Sequence, residues 1–331
     1  MCMTRTLGRS GIQVSALGLG CWAIGGPFVL GGLPDGWGDV DDKESIRALH
    51  AAFDLGVTFV DTADAYGVGH SEQVVGQAIA GRRDSIVIST KFGYFGNEST
   101  KTLHGVNLDP NYVERACEAS LKRLNTDYID LYLLHVWEIG LTQIGPVCDV
   151  LDRLVKKGKI RTYGWSTDLV DGAAAFAKRP DCSAIEHDMN VFSDAQEMVA
   201  LCEANHLASV NRTPLAMGIL SGKFTKESNL PKDDVRGAGH GWVRYFKDGK
   251  PDPAILKMLD GLREVLTSGG RTLAQGALSW LWGRSDRTIP IPGFKTVKQA
   301  EENAKAMAFG PLFKHQMAQV DALLNSVKEQ N

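Results

Sequence analysis

Four residues able to hold or move a proton stand at or just after the ends of apolar runs: Asp61, Tyr66, Lys91 and His135. The runs that carry them are 57–61, 86–91 and 129–135. If these runs form parallel strands of one sheet, their carboxyl ends meet at the same edge. A carboxylate, a phenol, an ammonium and an imidazole would then surround one point, which is the arrangement that reduction of a carbonyl group requires.

Each of the four groups has a definite part in such chemistry. Tyr66 would give a proton to the carbonyl oxygen as hydride arrives at carbon, but a free phenol has a pKa near ~10. Lys91 would lower that pKa by stabilising the phenolate, and Asp61 would hold the lysine charged. His135 would donate a hydrogen bond that orients and polarises the carbonyl. Taken singly, each residue also fits a structural role, so the prediction rests on their shared position.

The elements that must position these residues alternate regularly along the chain. Strand-like runs are predicted at 17–22, 57–61, 85–90, 128–134, 159–165, 184–189, 207–213 and 287–290. Segments with helical periodicity lie between nearly all of them, for example 42–55, 71–80, 109–124, 146–157 and 194–204. Eight strands alternating with helices predict an α/β fold, a closed (β/α)₈ TIM barrel. A doubly wound sheet is the second choice, but Gly18-Leu-Gly20 lacks the third glycine of its phosphate-binding turn.

Further segments flank the predicted barrel. The stretch 4–15 predicts an N-terminal β-hairpin, and 312–328 predicts a C-terminal helix packed on the outside. The longest irregular stretch, 225–252, follows the seventh strand, so it should lie over the active-site face of the barrel. No break in composition marks a second domain, and residues 1–331 are interpreted as one domain.

The composition excludes several classes of protein. The chain has 331 residues, 44% hydrophobic and 23% charged, with a formal charge of −3. Neither a nucleic acid nor a membrane is expected as a partner, because no basic face and no membrane-length apolar run is present. The six cysteines lie far apart, without metal-ligand spacing, which indicates free thiols, a cytoplasmic location and no metal site. The oligomeric state stays open, and an oligomer is allowed.

The motifs around the four residues resemble the signature blocks of the aldo-keto reductase superfamily. They are Asp61-Thr-Ala-Asp-Ala-Tyr66-Gly with His70-Ser-Glu, Ser89-Thr-Lys91-Phe-Gly, and the segment from Ser120 to His135. The likeness extends from about residue 6 to 307 and is nearest to the branch of bacterial reductases and potassium-channel β subunits. It implies a (β/α)₈ barrel, NADP(H) bound without a Rossmann motif, and a catalytic tetrad of Asp61, Tyr66, Lys91 and His135.

Two segments are candidates for holding such a cofactor. A glycine, a cation and a helix start follow the last strand, which suits a phosphate group. There the resemblance implies contacts from Gly293, Phe294, Lys295, Thr296, Gln299, Glu302 and Asn303, with Lys295 beside a ribose 2′-phosphate. The segment after strand seven resembles the family's pyrophosphate loop, which implies contacts from Thr213, Pro214, Leu215, Gly218, Ser221 and Lys223. Cys21, Trp22 and Asp61, and also Ser166, Thr167, Glu186 and Arg212, are further expected cofactor contacts.

Three positions depart from the commonest family pattern. Arg212 stands where many relatives carry an aromatic residue, and its planar guanidinium can also stack. Ser166-Thr167 replaces a usual Ser-Asn pair, and Glu186 replaces a usual glutamine. A glutamate accepts from the carboxamide NH₂ but cannot donate to its oxygen unless protonated. These changes affect the details of carboxamide binding rather than the expectation that NADP(H) binds.

The expected substrate is a small carbonyl compound. Its predicted contacts are Trp22, Tyr66, Phe92, His135, Trp137, Trp242 and Tyr245. A polar rim is also present, formed by Asp35, Asp64, His104, Asn107, His240 and Arg244. If several of these polar groups face inward, a sugar-derived carbonyl is favoured, since hydroxyl groups need fixed hydrogen-bond partners.

Two other functions remain as alternatives. A sensor or channel-associated subunit would bind NADP(H) with little turnover, as the resemblance to channel β subunits allows. The complete set of four residues favours the enzyme. A metal-dependent barrel hydrolase would need clustered ligands at strand ends, where only His135 and Asp61 stand.

Overall fold

A computed structural model describes residues 3–328, and eight parallel strands form its centre. We label them β1 to β8: Gly18–Gly20, Phe59–Asp61, Val87–Phe92, Ile129–Leu134, Ile160–Ser166, Cys182–Asp188, Ala208–Arg212 and Thr288–Pro290. Each strand pairs with the next in chain order, from β1 through to β8. Short apolar runs bounded by helices produce this order, because parallel neighbours need a crossover helix between them.

The sheet closes on itself between its first and last strands. Gly20 forms a parallel bridge with Gly293, and the Gly20 amide donates to the Pro292 carbonyl at 3.1 Å. A Cβ at Gly20 would lie 2.5 Å from the carbonyl oxygen of Ile291, so only glycine permits this approach. The closure confirms the predicted (β/α)₈ barrel.

The described helices cover the outside of the barrel. We label them α1 to α10: Asp42–Asp54, His70–Ala78, Pro110–Leu124, Leu141–Lys156, Val170–Ala177, Gln196–Ala204, Pro253–Thr267, Leu273–Arg284, Val297–Lys305 and Lys314–Lys328. The last of them, α10, is the predicted C-terminal helix. Local signals set the ends; Asp109, for instance, accepts hydrogen bonds from the first-turn amides of α3, ahead of Pro110.

The start of α4 differs from the expectation. The helical segment was expected at 146–157, whereas the helix begins at Leu141. The Gln143 side chain reaches back to accept from the Gly140 amide at 3.0 Å, which caps the helix five residues earlier. Pro146 therefore lies inside the helix.

The predicted N-terminal hairpin is present and closes the bottom of the barrel. Thr4–Thr6 pairs antiparallel with Gln13–Ser15. Leu7 and Ile12 join a buried apolar cluster with side chains of the barrel strands, including Leu131 and Val210. This leaves the opposite, carboxyl-terminal end of the barrel as the open face.

A second, smaller sheet was not predicted from the sequence. It contains Val29–Leu30, Leu33–Pro34, Tyr94–Asn97 and Thr102–Val106, from the loops that follow β1 and β3. Two of its strands have only two residues, too few for a period-two pattern. This sheet stands beside the open face of the barrel and extends the wall of the site.

The segment 225–252 is irregular, as expected, but it is firmly anchored. It contains a short hairpin, Phe246–Lys247 with Lys250–Pro251. Asp234 forms an antiparallel bridge with Trp37, so the segment is fixed to the loop after β1. Across the described residues, no helix combines the length and apolar character needed to cross a bilayer.

Candidate active site

The four residues singled out in the sequence meet at the open end of the barrel. The ammonium of Lys91 lies 2.5 Å from Asp61 Oδ2 and donates to the Tyr66 hydroxyl at 3.2 Å. The imidazole of His135 stands edge-on to the Tyr66 ring, with 5.6 Å between ring centres. Strand geometry explains this convergence, since adjacent parallel strands β2, β3 and β4 end at one rim.

All three N–H groups of the Lys91 ammonium are used. They reach Asp61, Tyr66 and the carbonyl oxygen of Thr62, the last at 2.9 Å. The side chain is 0% exposed, so these bonds and the nearby charges replace its hydration. Because Lys91 donates to the phenol oxygen, the phenolic hydrogen of Tyr66 is free to point elsewhere.

Burial dominates the acidity of these groups. It raises the pKa of Tyr66 above the ordinary value, and the nearby Lys91 opposes the rise without cancelling it. Lys91 therefore acts on the phenol in the expected direction, towards a lower pKa. Burial by itself lowers the pKa of Lys91, but Asp61 and Glu186 outweigh that effect and keep the lysine charged.

His135 is a neutral imidazole here. Burial lowers its pKa well below the usual range, and the positive charges of Lys91 and Arg212 act in the same direction. Its Nδ1 is buried and has no hydrogen-bond partner among the described residues. A neutral imidazole carries one N–H, so it can donate to an oxygen without carrying charge.

A cavity of about 640 Å³ opens over these groups and extends to the start of α9. Most residues expected to contact the cofactor line it: Trp22, Asp61, Ser166, Glu186, Arg212, Thr213, Pro214, Leu215, Gly218, Ser221, Lys223, Gly293, Phe294, Lys295, Thr296, Gln299, Glu302 and Asn303. Residues expected to contact the substrate also line it: Tyr66, His135, Trp137 and Trp242. Within residues 3–328, no group of three or more acidic, histidine or cysteine side chains is arranged to hold a metal ion.

The far end of the cavity suits an anion. Burial, and then the charge of Arg236, lowers the pKa of Lys223, while Lys295 acts on it in the same direction. In the described part of the chain, neither lysine has a carboxylate within ion-pair distance. Two lysines that lie close together without carboxylate partners form a favourable binding site for phosphate oxygens.

Side chains at the start of α9 form hydrogen bonds with backbone groups. Thr296 caps the helix by accepting from the Gln299 amide, and Gln299 Oε1 accepts from the Lys295 amide at 2.8 Å. Asn303 donates to the Gly293 carbonyl at 3.3 Å. Lys295 donates to the carbonyl oxygens of Trp37 and Asp39, at 2.9 and 2.7 Å. These residues therefore shape the cavity wall as well as facing into it.

The barrel end of the cavity offers unpaired polar atoms. Ser166 donates to Glu186 Oε1 at 3.0 Å, whereas the buried Glu186 Oε2 has no hydrogen-bond partner among the described residues. Arg212 is paired with Asp168 at 2.6 Å and packs over the Trp137 ring. A ligand that carries an amide NH₂ would satisfy the open glutamate oxygen, so the residues present fit a nicotinamide.

Four of the expected contacts do not line the cavity in the described structure. Phe92 is fully buried and stacks on Tyr132, because it follows Lys91 in a strand and points to the opposite face. Tyr245 is also buried, and its hydroxyl accepts from Asn190 at 2.8 Å. Of the two expected cofactor contacts, Cys21 is buried with its thiol towards the Leu19 carbonyl, and Thr167 donates to the Trp137 carbonyl.

Several cavity residues were missed by the sequence analysis. Most come from the second sheet and its flanks, with two more from segments 34–39 and 225–252: Phe28, Leu30, Tyr94, Leu103, Trp37 and Arg236. The pair Gly31-Gly32 between Leu30 and Leu33 is a hairpin signal that would have located part of this wall.

The segment 225–252 contributes to the cavity at two points. Arg236 pairs with Asp234 and lies over the Trp37 ring, 4.4 Å from its centre. Trp242 is 49% exposed and faces Trp22 at 6.1 Å. The segment therefore reaches both the anion end and the end near Tyr66.

Comparison with known proteins agrees with this geometry. A sequence profile of the aldo/keto reductase family matches residues 16–325. The chain is 33% identical to the aldo-keto reductase yakc [NADP(+)] of Schizosaccharomyces pombe, over 92% of this chain and 86% of the relative. It is 26% identical to the solved glycerol dehydrogenase AKR11B4 from Gluconobacter oxydans, with a TM-score of 0.81 over 98% of this chain and 95% of the other.

A further solved relative is described with a bound cofactor. It is an aldo-keto reductase from Klebsiella pneumoniae in complex with NADPH, 26% identical, with a TM-score of 0.69 over 98% of this chain and 95% of the other. The matched profile covers the barrel from β1 to α10 and includes all four converging residues. The chain therefore belongs to the aldo/keto reductase family.

Proposed function

We propose that this protein reduces an aldehyde or ketone to the alcohol with NADPH as cofactor. The observation that carries the proposal is the joint contact of Lys91 with Asp61 and Tyr66 at the mouth of a long cavity. Membership of the aldo/keto reductase family and the relatives named with NADP(+) or NADPH support the same reaction.

In this mechanism the residues of the chain handle the proton. When bound, NADPH supplies a hydride to the carbonyl carbon. Tyr66 donates its phenolic proton to the carbonyl oxygen, and Lys91 stabilises the phenolate that remains. Asp61 keeps Lys91 in place, and neutral His135 donates a hydrogen bond that orients the carbonyl. Asp61 and Lys91 are buried, so water does not reach the ion pair that supports the proton transfer.

A direct assay tests this function. Mixing the protein with NADPH and 4-nitrobenzaldehyde should cause a steady loss of absorbance from NADPH. Tight NADPH binding without consumption, across a panel of aldehydes and ketones, would favour the sensor or channel-associated subunit instead. The complete set of four converging groups supports the enzyme over that alternative.

The cations at the far end of the cavity are assigned to the cofactor phosphates. Lys223 supports the pyrophosphate, and Lys295 supports a ribose 2′-phosphate, which favours NADPH over NADH. Lys295 already donates to two backbone carbonyls. It should therefore attract the 2′-phosphate mainly through its positive charge rather than through a new hydrogen bond.

Replacement of Lys223 tests this assignment. Lys223→Met should weaken the binding of NADPH and of NADH alike, by roughly tenfold, because both coenzymes contain the pyrophosphate. Lys226→Met is a matched control three residues away, since Lys226 is 84% exposed and lies outside the cavity. Fluorescence titration measures both constants, and equal effects of the two substitutions would contradict the assignment.

The cavity near Tyr66 is mainly apolar. Its walls there are Trp22, Phe28, Leu30, Tyr94, Leu103 and Trp242. Of the six polar rim residues considered for a sugar, Asp35 alone lines the cavity in the described structure. Burial raises the pKa of Asp35 to about 7, so it is a weak acid in an apolar wall. This wall supports a carbonyl compound with an aromatic or aliphatic body over a polyhydroxylated sugar.

A panel of substrates tests the character of this wall. We expect kcat/KM for 4-nitrobenzaldehyde to exceed that for glyceraldehyde by about tenfold or more, because burial of an aromatic ring against the apolar wall is favourable. The reverse order would restore the sugar-derived carbonyl as the better hypothesis.

The remaining assignments concern organisation and location. We place residues 1–331 in one barrel domain, with 225–252 serving as a cover over the active-site face. The five cysteines that the structure describes are buried free thiols, which supports a cytoplasmic location. The chain's formal charge of −3 does not favour nucleic acid as a partner. An oligomer is compatible with the fold.

A further inference from the structure

Two carboxylates share the single ammonium at the centre of this site. Lys91 Nζ lies 2.5 Å from Asp61 Oδ2 and 3.4 Å from Glu186 Oε2. Both carboxylates are at most 2% exposed, and the lysine is 0% exposed. The contact of Glu186 with Lys91 is one of charge alone, because the lysine's three N–H groups go to other acceptors.

Glu186 is held in place and aimed at the cavity. Its Oε1 accepts from the Ser166 hydroxyl at 3.0 Å, which fixes the carboxylate plane. Its Oε2 is buried, faces the cavity and has no hydrogen-bond partner among residues 3–328. A buried carboxylate oxygen without a donor is unfavourable unless a ligand or a proton compensates it.

The neighbouring charges do not cancel the second carboxylate. The titratable or charged groups facing this cluster from the surrounding strands and loops are Cys21, Asp61, Tyr66, Lys91, His135 and Arg212. His135 is neutral, and Arg212 is already paired with Asp168 at 2.6 Å. When both carboxylates are ionised, the cluster therefore carries one excess negative charge.

This excess charge lies beside the place where the coenzyme must react, a step that rests on the proposed function. The Lys91 ammonium bridges Glu186 and the Tyr66 hydroxyl, through contacts of 3.4 and 3.2 Å. A ring that gives hydride to a carbonyl held by Tyr66 must approach the carbonyl carbon to about 3.5 Å. The nicotinamide is positively charged in NADP⁺ and neutral in NADPH, so a buried negative charge distinguishes the two.

We propose that Glu186 makes this site bind NADP⁺ preferentially over NADPH. The preference follows from charge, because only the oxidised ring gains from a nearby carboxylate. Burial, and then Glu186, raises the pKa of Asp61 while Lys91 opposes the rise, so the charge of Glu186 acts on the groups around Lys91.

The test compares wild type with Glu186→Gln, which keeps the shape of the side chain and removes its charge. Dissociation constants for NADP⁺ and NADPH are measured by tryptophan fluorescence at neutral pH. Glu186→Gln should raise the ratio Kd(NADP⁺)/Kd(NADPH) by roughly tenfold or more. A tenfold change in this ratio corresponds to about 30 mV in the two-electron potential of the bound couple.

Two further variants serve as controls. Glu186→Asp keeps the charge and should keep the preference for NADP⁺. Glu302→Gln makes the same chemical change at the other end of the cavity and should alter both constants by the same factor. An unchanged ratio in a Glu186→Gln protein that still binds both coenzymes would overturn the inference. A wild-type protein that binds neither coenzyme would instead contradict the proposed function.

Discussion

Tyr66→Phe should abolish nearly all turnover, with kcat reduced by about 10³-fold or more, while the dissociation constant for NADPH stays within about threefold of wild type. The phenylalanine keeps the ring between Trp22 and His135 but removes the only proton that the mechanism delivers to the carbonyl oxygen. Stopped-flow single-turnover kinetics measure the chemical step, and fluorescence titration measures coenzyme binding.

Tyr94→Phe is the matched control for this substitution. Tyr94 also lines the cavity and also stands edge-on to His135, with 5.6 Å between ring centres. Its hydroxyl makes no contact with Lys91, whose N–H groups are all used elsewhere. Its loss should therefore reduce kcat by much less. Comparable losses in the two variants, or weak coenzyme binding with a normal rate in Tyr66→Phe, would show that Tyr66 is not the acid.

Lys91→Met should lower both the rate and the stability. The phenolate of Tyr66 would lose its cationic neighbour, so kcat should fall by about 100-fold or more. Asp61 and Glu186 would become two buried carboxylates without a cation, which should reduce the free energy of unfolding by about 3–5 kcal/mol. Urea unfolding of the apoprotein measures the second effect separately from the first.

The loss of stability in Lys91→Met should depend on pH. Burial and mutual repulsion raise the carboxyl pKa values in the folded variant above those in the unfolded chain, so the penalty grows as pH rises above about 4. Below that range both states are protonated, and the penalty largely disappears. The double variant Asp61→Asn with Lys91→Met should recover part of the stability at neutral pH without recovering turnover. Equal destabilisation at acidic and neutral pH would contradict this account of the buried charges.

The barrel and the central residues were accessible from the sequence for a physical reason. Parallel strands buried on both faces appear as short apolar runs, and each run ends at the same rim. Asp61, Lys91 and His135 stand at such ends, so their convergence follows from the alternation of strands and helices alone. Tyr66 follows in the loop after β2, close enough that its reach to Lys91 was also predictable.

Side-chain direction limited the detail of the site prediction. Phe92 and Thr167 each follow a residue that points into the barrel, so each points away from it. If the alternation of side chains between the two faces of a strand had been followed along β3 and β5, both residues would have been excluded from the predicted site. Tyr245 and Cys21 were predicted to contact a ligand because they stand close in sequence to other candidate residues. In the structure, tertiary contacts bury both side chains.

The outer wall of the cavity depends on contacts that lie far apart in sequence. Trp37 meets Asp234 and Arg236, and Val29 pairs with Thr102 in the second sheet. Such pairings between loops leave no periodic pattern, so the sequence indicated a functional loop at 225–252 without indicating what it contacts. The contact between Glu186 and Lys91 was also missed, although each residue had been singled out separately, because it joins β6 and β3, which are not neighbours in the sheet.

The central claim is that Tyr66, Lys91, Asp61 and His135 surround the reacting carbonyl. A crystal structure of the wild-type protein with NADP⁺ and a carbonyl-containing inhibitor measures this directly. We expect the inhibitor oxygen within about 3 Å of both the Tyr66 hydroxyl and a ring nitrogen of His135, with the nicotinamide against the Glu186 side of the cavity. A nicotinamide bound at the α9 end, or an inhibitor oxygen out of hydrogen-bonding reach of Tyr66, would contradict the account.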